Sequence, residues 1–525
     1  MGVSGSVPLF QVLRKQGETP GCRGKKAYLP QPECYIGHGE DQYLPTISRV
    51  PRWCFYTLLV LLGLVTFISL GADFHHYTRW IDDSSRYCDD GWYAGGAINK
   101  ILTGRWLHPG DFNAMVPVPG WSFLLGFVFH FTGVSVVAAR AVALCFSIAT
   151  VLLAGVILRR DHPRLALPFM VLMASAPLFF FFSRCALIEP SLIFLITATI
   201  WAASTSDRGG VPRLVLCGVL FTTAMIDKSN AIFTGPAIVY LIWFPYRADW
   251  RRVLRAVAIP LTVFVVLEVV YLLLWVRPHE ADFRLYASLN APVLNLRSIE
   301  KFIRVFYRGV TWIDPLLFPA VLVTFVVSFK RFRFLWADPF FGSSFLFFWA
   351  WVVFLVLHVD AGPHYFMVMV FPIMLVLLLL LEGLEAREPK AGEAMGAFLL
   401  LAVVLNLGLI VKDVLHPQYT QRDAFLQIER QIDADPSVAR LVIGHGTKEL
   451  SFYTGILALD DMGTMSVADK LRLYHPGWVV TYSDALSIPE DPELAQSYRF
   501  VEVGNYPVLD QVDRSHVLLY RIEKQ

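Results

Sequence analysis

Residues 53–94 read WCFYTLLVLLGLVTFISLGADFHHYTRWIDDSSRYCDDGWYA, and the placing of this stretch decides how the rest of the chain is read. Its opening part, 53–72, holds no charge and has the length that crosses a hydrocarbon core. Its end, Cys88-Asp89-Asp90-Gly91-Trp92-Tyr93-Ala94, sets two adjacent carboxylates among aromatic residues close to the membrane. Charges at membrane level are costly and tend to mark a pathway or a site, so the informative signal is whether others gather on the same side.

Upstream, residues 1–52 are polar, carry Arg14, Lys15, Arg23, Lys25, Lys26, Arg49 and Arg52, and show no helical periodicity. They read as a cytoplasmic tail, too long and too polar for a standard cleaved signal peptide. The basic tail keeps the N-terminus inside, so Asp89 and Asp90 emerge on the outer face, in a first outer loop over 73–135. The bulk numbers agree with a membrane chain: 525 residues are 55% hydrophobic, 14% aromatic and only 17% charged, with a mean hydropathy of +0.52, where a soluble protein carries about 25% charge. A net charge of +2 says nothing about nucleic acid, and no Lys/Arg stripe of the kind that such binding needs is present, so no nucleic-acid partner is expected. The cysteines form no CxxC pair or metal-ligand spacing. Cys88 and Cys185 both fall on the outer side, where an oxidising compartment would permit a disulfide.

Downstream, apolar runs recur near 136–158, 165–183, 186–204, 212–227, 230–245, 256–276, 311–329, 340–358, 365–381 and 394–411, which with 53–72 makes about eleven crossings. The segment 117–132 is apolar but brief and reads as an interfacial or re-entrant helix. Alternate loops hold Arg159, Arg160 and Arg164; Arg208 and Arg213; Arg247, Arg251, Arg252 and Arg255; Lys330, Arg331 and Arg333; and Arg387 and Lys390. These fall on one side, as the positive-inside bias requires. After residue 411 the runs Leu441-Val442-Ile443, Trp478-Val479-Val480 and 515–522 alternate with helical segments, predicting a small α/β domain over 412–525 outside the membrane.

The outer side then collects the other polar groups. Glu189, in the first turn of an apolar helix, fits a second acidic group facing Asp89, or a structural ion pair with Arg184 five residues earlier. Asp227 and Lys228 interrupt two short apolar segments, and broken helices at membrane depth are tolerated where they line a cavity. Lys228 suits an anion, or is neutralised by Asp227. Asp360, His364 and Tyr365 form another outer cluster. Arg277, Arg284, Arg297 and Arg304 would either clamp phosphate or decorate a surface helix.

Asp89-Asp90-Gly91-Trp92-Tyr93-Ala94 resembles the Asp-(Glu/Asp)-x-x-Tyr-Ala motif of C-type (GT-C) glycosyltransferases, in particular the protein O-mannosyltransferase and aminoarabinose transferase group. Gly133-Val134-Ser135 with Ala138-Ala139-Arg140 is similar to the segment leading into that family's second helix. Ser183-Arg184 through Glu189-Pro190 resembles its Ala-Arg…Asp-x-Pro motif, Asp227-Lys228-Ser229 its Thr-Lys-Gly, and His364-Tyr365 with Pro372 its Arg-Tyr…Pro stretch. Ser451-Phe452-Tyr453-Thr454-Gly455 is similar to its Phe-Tyr-x-Gly element. The match covers roughly 53–460. Three departures stand out: Val118-Pro119 replaces a Lys-Pro-Pro element, Glu189 the commoner Asp, and His364 the commoner Arg.

The resemblance implies a GT-C membrane fold and transfer of a sugar, with inversion, from a polyprenyl monophosphate donor to a lipid, glycan or protein acceptor on the outer face. A lipid phosphate is already a competent leaving group, so such a site needs cations on the departing phosphate more than a strong acid. Lys228, Arg184, Arg297, His364 and Tyr365 are the expected donor-phosphate contacts. Asp89 is the expected general base, with Asp90 and Glu189 placing donor or acceptor and Trp92 or Tyr93 stacking on a sugar face. No cofactor is expected; paired acids also suit a divalent cation, for which the sequence offers no dedicated ligand set. A bacterial inner membrane fits the absence of a retention signal. The alternative from another class is a transporter or flippase for lipid-linked sugar, which would use the same charges and broken helices as a path; the position of the acids in a long loop, and the absence of a repeat, favour the enzyme.

Overall fold

The computed structural model describes residues 51–71, 89–291, 298–358, 361–415, 421–483, 486–508 and 516–525, and of Asp89, Ser298 and Asp413 the backbone alone. The tail to residue 50, Cys88 with its proposed disulfide, Arg297 and Asp360 lie outside the described residues.

The described membrane part is built of helices: α1 (Arg52–Ile68), α2 (Asp89–Thr103), α3 (Pro119–Thr132), α4 (Val136–Asp161), α5 (Ala166–Ser175), α6 (Pro177–Phe182), α7 (Glu189–Ser204), α8 (Ser206–Asp227), α9 (Gly235–Tyr246), α10 (Trp250–Tyr271), α11 (Glu280–Leu289), α12 (Ser298–Arg308), α13 (Leu317–Ser328), α14 (Pro339–Leu357), α15 (Pro363–Arg387) and α16 (Pro389–Leu415). Each apolar run expected to cross falls on these helices, all but 165–183 on a single one. Among the described residues, 6 stretches are long and apolar enough to span by length and composition, while α1, α5, α7 and α13 are shorter apolar helices. The run 165–183 is two helices because Pro177 forces Ala176 into extended geometry (φ −66, ψ 120).

Burial sorts the helices. In α15 every residue from Pro363 to Leu381 is buried, so this helix, apolar on all sides, is the centre of the bundle. In α10 only Ala256 and Pro260 are buried, and Leu261, Val265, Val266, Val269 and Val270 are exposed, which is the composition of a helix facing lipid. The brief segment at 117–132 forms α3, started by Pro119 in its first turn. It buries Trp121, Leu125 and Phe129 and exposes Phe123, Phe127 and Phe131.

Polar residues join the helices at their ends. Ser135 and Asp249 cap α4 and α10 by accepting from the first-turn N–H groups of Ala138, and of Arg251 and Arg252. His162, directly after α4, meets the Asp338 cap of α14 at 2.9 Å and Glu382 of α15 at 2.7 Å. Burial alone would lower the imidazole pKa; the hydrogen bonds and charges of Asp338 and Glu382 outweigh it and raise it to about 10. Because the folded value lies above the ordinary 6.5, this clamp contributes its full stability below pH ~6.5 and loses it as pH rises toward 10. The thermal midpoint of the wild type is therefore expected to fall faster than that of His162→Gln between those limits, with the two curves converging near pH 10. Parallel curves would show that His162 is not charged in the folded protein.

Beyond α16 the chain forms α17 (Gln421–Asp433), β1 (Leu441–Gly444), α18 (Thr447–Thr454), β2 (Leu457–Asp460), α19 (Val467–Tyr474), β3 (Trp478–Tyr482), β4 (Tyr498–Pro507) and β5 (His516–Lys524). The strands make one mixed sheet in the order β2-β1-β3-β5-β4. β1 pairs parallel with β2 and β3, whereas β5 pairs antiparallel with β3 and β4. Period-two alternation builds a core on each face: Val442, Trp478 and Val480 pack with Phe425 and Ile428 of α17, while Ile443 and Val479 pack with Leu471 of α19. This is the small α/β unit read from the alternating runs; β2 and β4 are additions to it.

Candidate functional site

The polar groups of the membrane part meet where α2, α7, α8 and α15 begin or end. α2 opens at Asp89. Asp90 is buried, and its Oδ2 accepts from the backbone N–H of Ala186 at 3.3 Å, just upstream of α7. A turn on, the Tyr93 carbonyl accepts from Ser122 Oγ of α3 at 2.5 Å.

Glu189 is the first residue of α7, with Pro190 beside it in the first turn, and Lys228 is the residue that ends α8 in extended geometry (φ −155, ψ 120) before a short turn leads into α9. The break read from the sequence is therefore a real interruption of helix at the level of the acids. Lys228 Nζ pairs with Glu189 Oε1, and His364 Nε2, in the first turn of α15, lies 3.7 Å from the same oxygen. The ammonium also sits 5.1 Å from the centre of the Tyr93 ring and 4.3 Å from that of Tyr365. Two aromatic faces and one carboxylate make a cage for a cation with side chains only 6% and 1% exposed at Lys228 and Glu189. Of the two readings open for Glu189, the pair with Arg184 is not what forms, since Lys228 takes that place. Asp227 does not neutralise Lys228 either: its Oδ2 accepts from Ser191 Oγ at 2.7 Å.

The remaining expected residues are placed as follows. Arg184 donates to Ser69 Oγ at 2.5 Å at the end of α1 and lies over the rings of Phe180 and Phe181. Trp92 points to the sheet domain, where its indole N–H donates to Asp460 Oδ2 at 3.0 Å and its ring packs on Phe112 at 5.2 Å. Asp89 has no described side chain and Arg297 is outside the described residues. Among the described residues no group of three His, Cys, Asp or Glu is placed to hold a metal.

Sequence reasoning missed a second polar network, where the sheet domain sits on α2. Lys448 of α18 pairs with Asp111 at 2.7 Å, and Asp111 accepts from the Asp460 N–H at 2.8 Å; Lys470 stands 3.9 Å from the same carboxylate. Burial, then the charges of Asp461 and Asp111, push the Asp460 carboxyl well above the usual range. Glu449 Oε2 accepts from Gly91 N–H at 2.5 Å, and Arg140 Nη2 donates to Tyr453 at 3.0 Å. Lys448 and Glu449 stand just upstream of the Ser451-to-Gly455 element, but nothing in the sequence there signals their burial. A cavity of about 540 Å³ lies elsewhere, lined by Arg160, His162, Asp207, Arg208, Phe244 and Asp338. It is at the far end of α4, about 39 Å along that helix, and holds none of these groups.

The architecture is a helical membrane bundle with a C-terminal sheet domain. A family model described as dolichyl-phosphate-mannose-protein mannosyltransferase matches residues 119–286. Two crystal structures of ArnT from Cupriavidus metallidurans, one bound to undecaprenyl phosphate and one in the apo state, superpose with a TM-score of 0.55 at 14% identity. The alignment covers 89% of this chain and 98% of ArnT, so the two share a fold over nearly their whole length. No curated protein sequence matches the chain. The resemblance read from the motifs is thus borne out by two independent comparisons.

Proposed function

We propose that this protein is a membrane glycosyltransferase that moves a sugar from a polyprenyl monophosphate carrier to a lipid, glycan or protein acceptor on the outer face, with inversion at the anomeric carbon. The observation that carries the reading is the caged Lys228: a buried cation at a helix break, beside the acid motif, in a chain that shares the fold of an ArnT crystallised with undecaprenyl phosphate. A buried ammonium whose one ion-pair partner among the described residues is a carboxylate is set to exchange that partner for a phosphate when a ligand arrives.

In this reading Lys228 holds the phosphate of the donor, with Arg184, Arg297, His364 and Tyr365 completing its surroundings. The acceptor oxygen attacks the anomeric carbon from the face opposite the phosphate, its proton passes to Asp89, and the C–O bond to phosphate breaks with the electron pair leaving on the phosphate oxygen. Asp90, fixed by the Ala186 N–H, and Glu189 place the sugar hydroxyls, and Tyr93 offers a ring to the sugar face. Trp92 supports this site through Asp460. The basic loops support an orientation with the tail and the Arg160 end inside and the acid motif outside.

Leaving-group recognition tests the reading without knowledge of the sugar. Undecaprenyl phosphate is expected to raise the thermal midpoint of the purified protein in lipid, undecaprenol is not, and Lys228→Met is expected to abolish the difference. Equal stabilisation by phosphate and alcohol would contradict it.

A further inference from the structure

The first turn of α2 carries the acid pair, and the free N–H groups of a helix N-terminus require an acceptor from somewhere. Here the acceptor comes from a residue 358 positions away: Glu449 Oε2, on the buried side of α18, takes the Gly91 N–H. A carboxylate at this point also faces the positive end of the helix dipole. Gly91 is what permits the approach, since a Cβ there would lie 2.4 Å from the Glu449 backbone nitrogen and 2.5 Å from Oε2. The contact does not stand alone. Lys448 Nζ donates to Asn99 Oδ1 further along α2 at 3.3 Å and to the Ala458 carbonyl of β2 at 2.7 Å. At the other end of α18, Tyr453 meets Arg140, which in turn donates to the Leu70 carbonyl at 3.1 Å. Leu70 and Gly91 bracket the chain that enters the acid pair, so α18 fixes both flanks of that chain.

The geometry points to Glu449 as a positioning residue: a side chain of the sheet domain that holds the first turn of α2, and with it the backbone that carries Asp89 and Asp90. This rests on the transferase reading above. Proton transfer to a carboxylate depends on placement, and a misplacement of about 1 Å costs on the order of a hundredfold in rate. The sheet domain is then part of the reaction centre's frame. E449Q keeps an oxygen acceptor for the Gly91 N–H, whereas E449L removes it at similar volume.

Two readouts are taken on the full-length protein in lipid: amide hydrogen exchange over residues 89–95, which needs no substrate, and kcat and donor KM with the polyprenyl-phosphate sugar that the wild type turns over. In E449L, exchange is expected to rise about tenfold and kcat to fall about a hundredfold at unchanged KM; E449Q is expected to stay near wild type in both. Unchanged exchange in E449L overturns the proposal, as does raised exchange with wild-type kcat, or a kcat loss in E449Q with wild-type exchange. If E449L does not fold, G91A decides, because its methyl displaces α18 from the same turn: raised exchange with lowered kcat supports the proposal, and wild-type values overturn it. A wild type that turns over no donor removes the transferase reading and this proposal with it. That failure is recognisable because the exchange result is obtained independently.

Discussion

Lys228→Met is expected to lower donor turnover by about a thousandfold and folding stability by about 3–5 kcal/mol. Both effects follow from one geometry. Glu189 is 1% exposed and Lys228 is its ion-pair partner, so deletion of the ammonium strands a carboxylate in an apolar surround. His364 lies 3.7 Å from the same oxygen and still faces it in the variant. Turnover falls for a separate reason, the loss of the cation that receives charge on the departing phosphate. The double variant Lys228→Met with Glu189→Gln separates the two: it is expected to regain most of the stability and none of the turnover. Chemical denaturation and donor consumption, measured on the single and double variants, check both parts. A single variant that keeps more than about a tenth of wild-type turnover would remove Lys228 from the reaction.

Asp89→Asn is expected to reduce turnover by at least a hundredfold while leaving stability and donor binding near wild type, because an amide is close to isosteric but accepts no proton at neutral pH. The contrast with Lys228→Met is informative. Asp89 opens α2, so its substitution changes the chemistry at the start of that helix. A loss in kcat at constant donor KM is the expected pattern, checked by initial rates over a range of donor concentrations.

How much of this was legible in the sequence depended on distance along the chain. The acid motif, the Lys228 break and the first turn of α15 were legible because each is a polar interruption of an apolar run, and hydropathy shows such interruptions directly. The helices carrying the expected crossings were legible for the same reason. Their number of crossings was not, since α5, α7 and α13 are too short to be decided by length, and a Pro177 break divides one run into two helices. Partner choice inside the site was hidden as well. Glu189 stands five residues from Arg184 and thirty-nine from Lys228, yet it pairs with the latter. The docking of the sheet domain was invisible, because nothing local says that Lys448 and Glu449 are both buried against α2. Trp92 shows the same limit, because an aromatic beside an acid pair suggests a sugar platform and its indole instead reaches Asp460, 368 residues on. The raised pKa of the Asp460 carboxyl follows from that docking through burial and the charge of Asp111, and from its sequence neighbour Asp461.

The measurement that tests the central claim most directly is the release of free polyprenyl phosphate from a panel of polyprenyl-phosphate sugars, by the purified protein in lipid with membrane extract as acceptor source. The account predicts release from at least one donor, with the sugar recovered on an acceptor in the opposite anomeric configuration, and release reduced at least a hundredfold in Asp89→Asn. Movement of an intact donor across the bilayer with no release, equal in the wild type and in Asp89→Asn, would contradict it and assign the same buried charges to a translocation path.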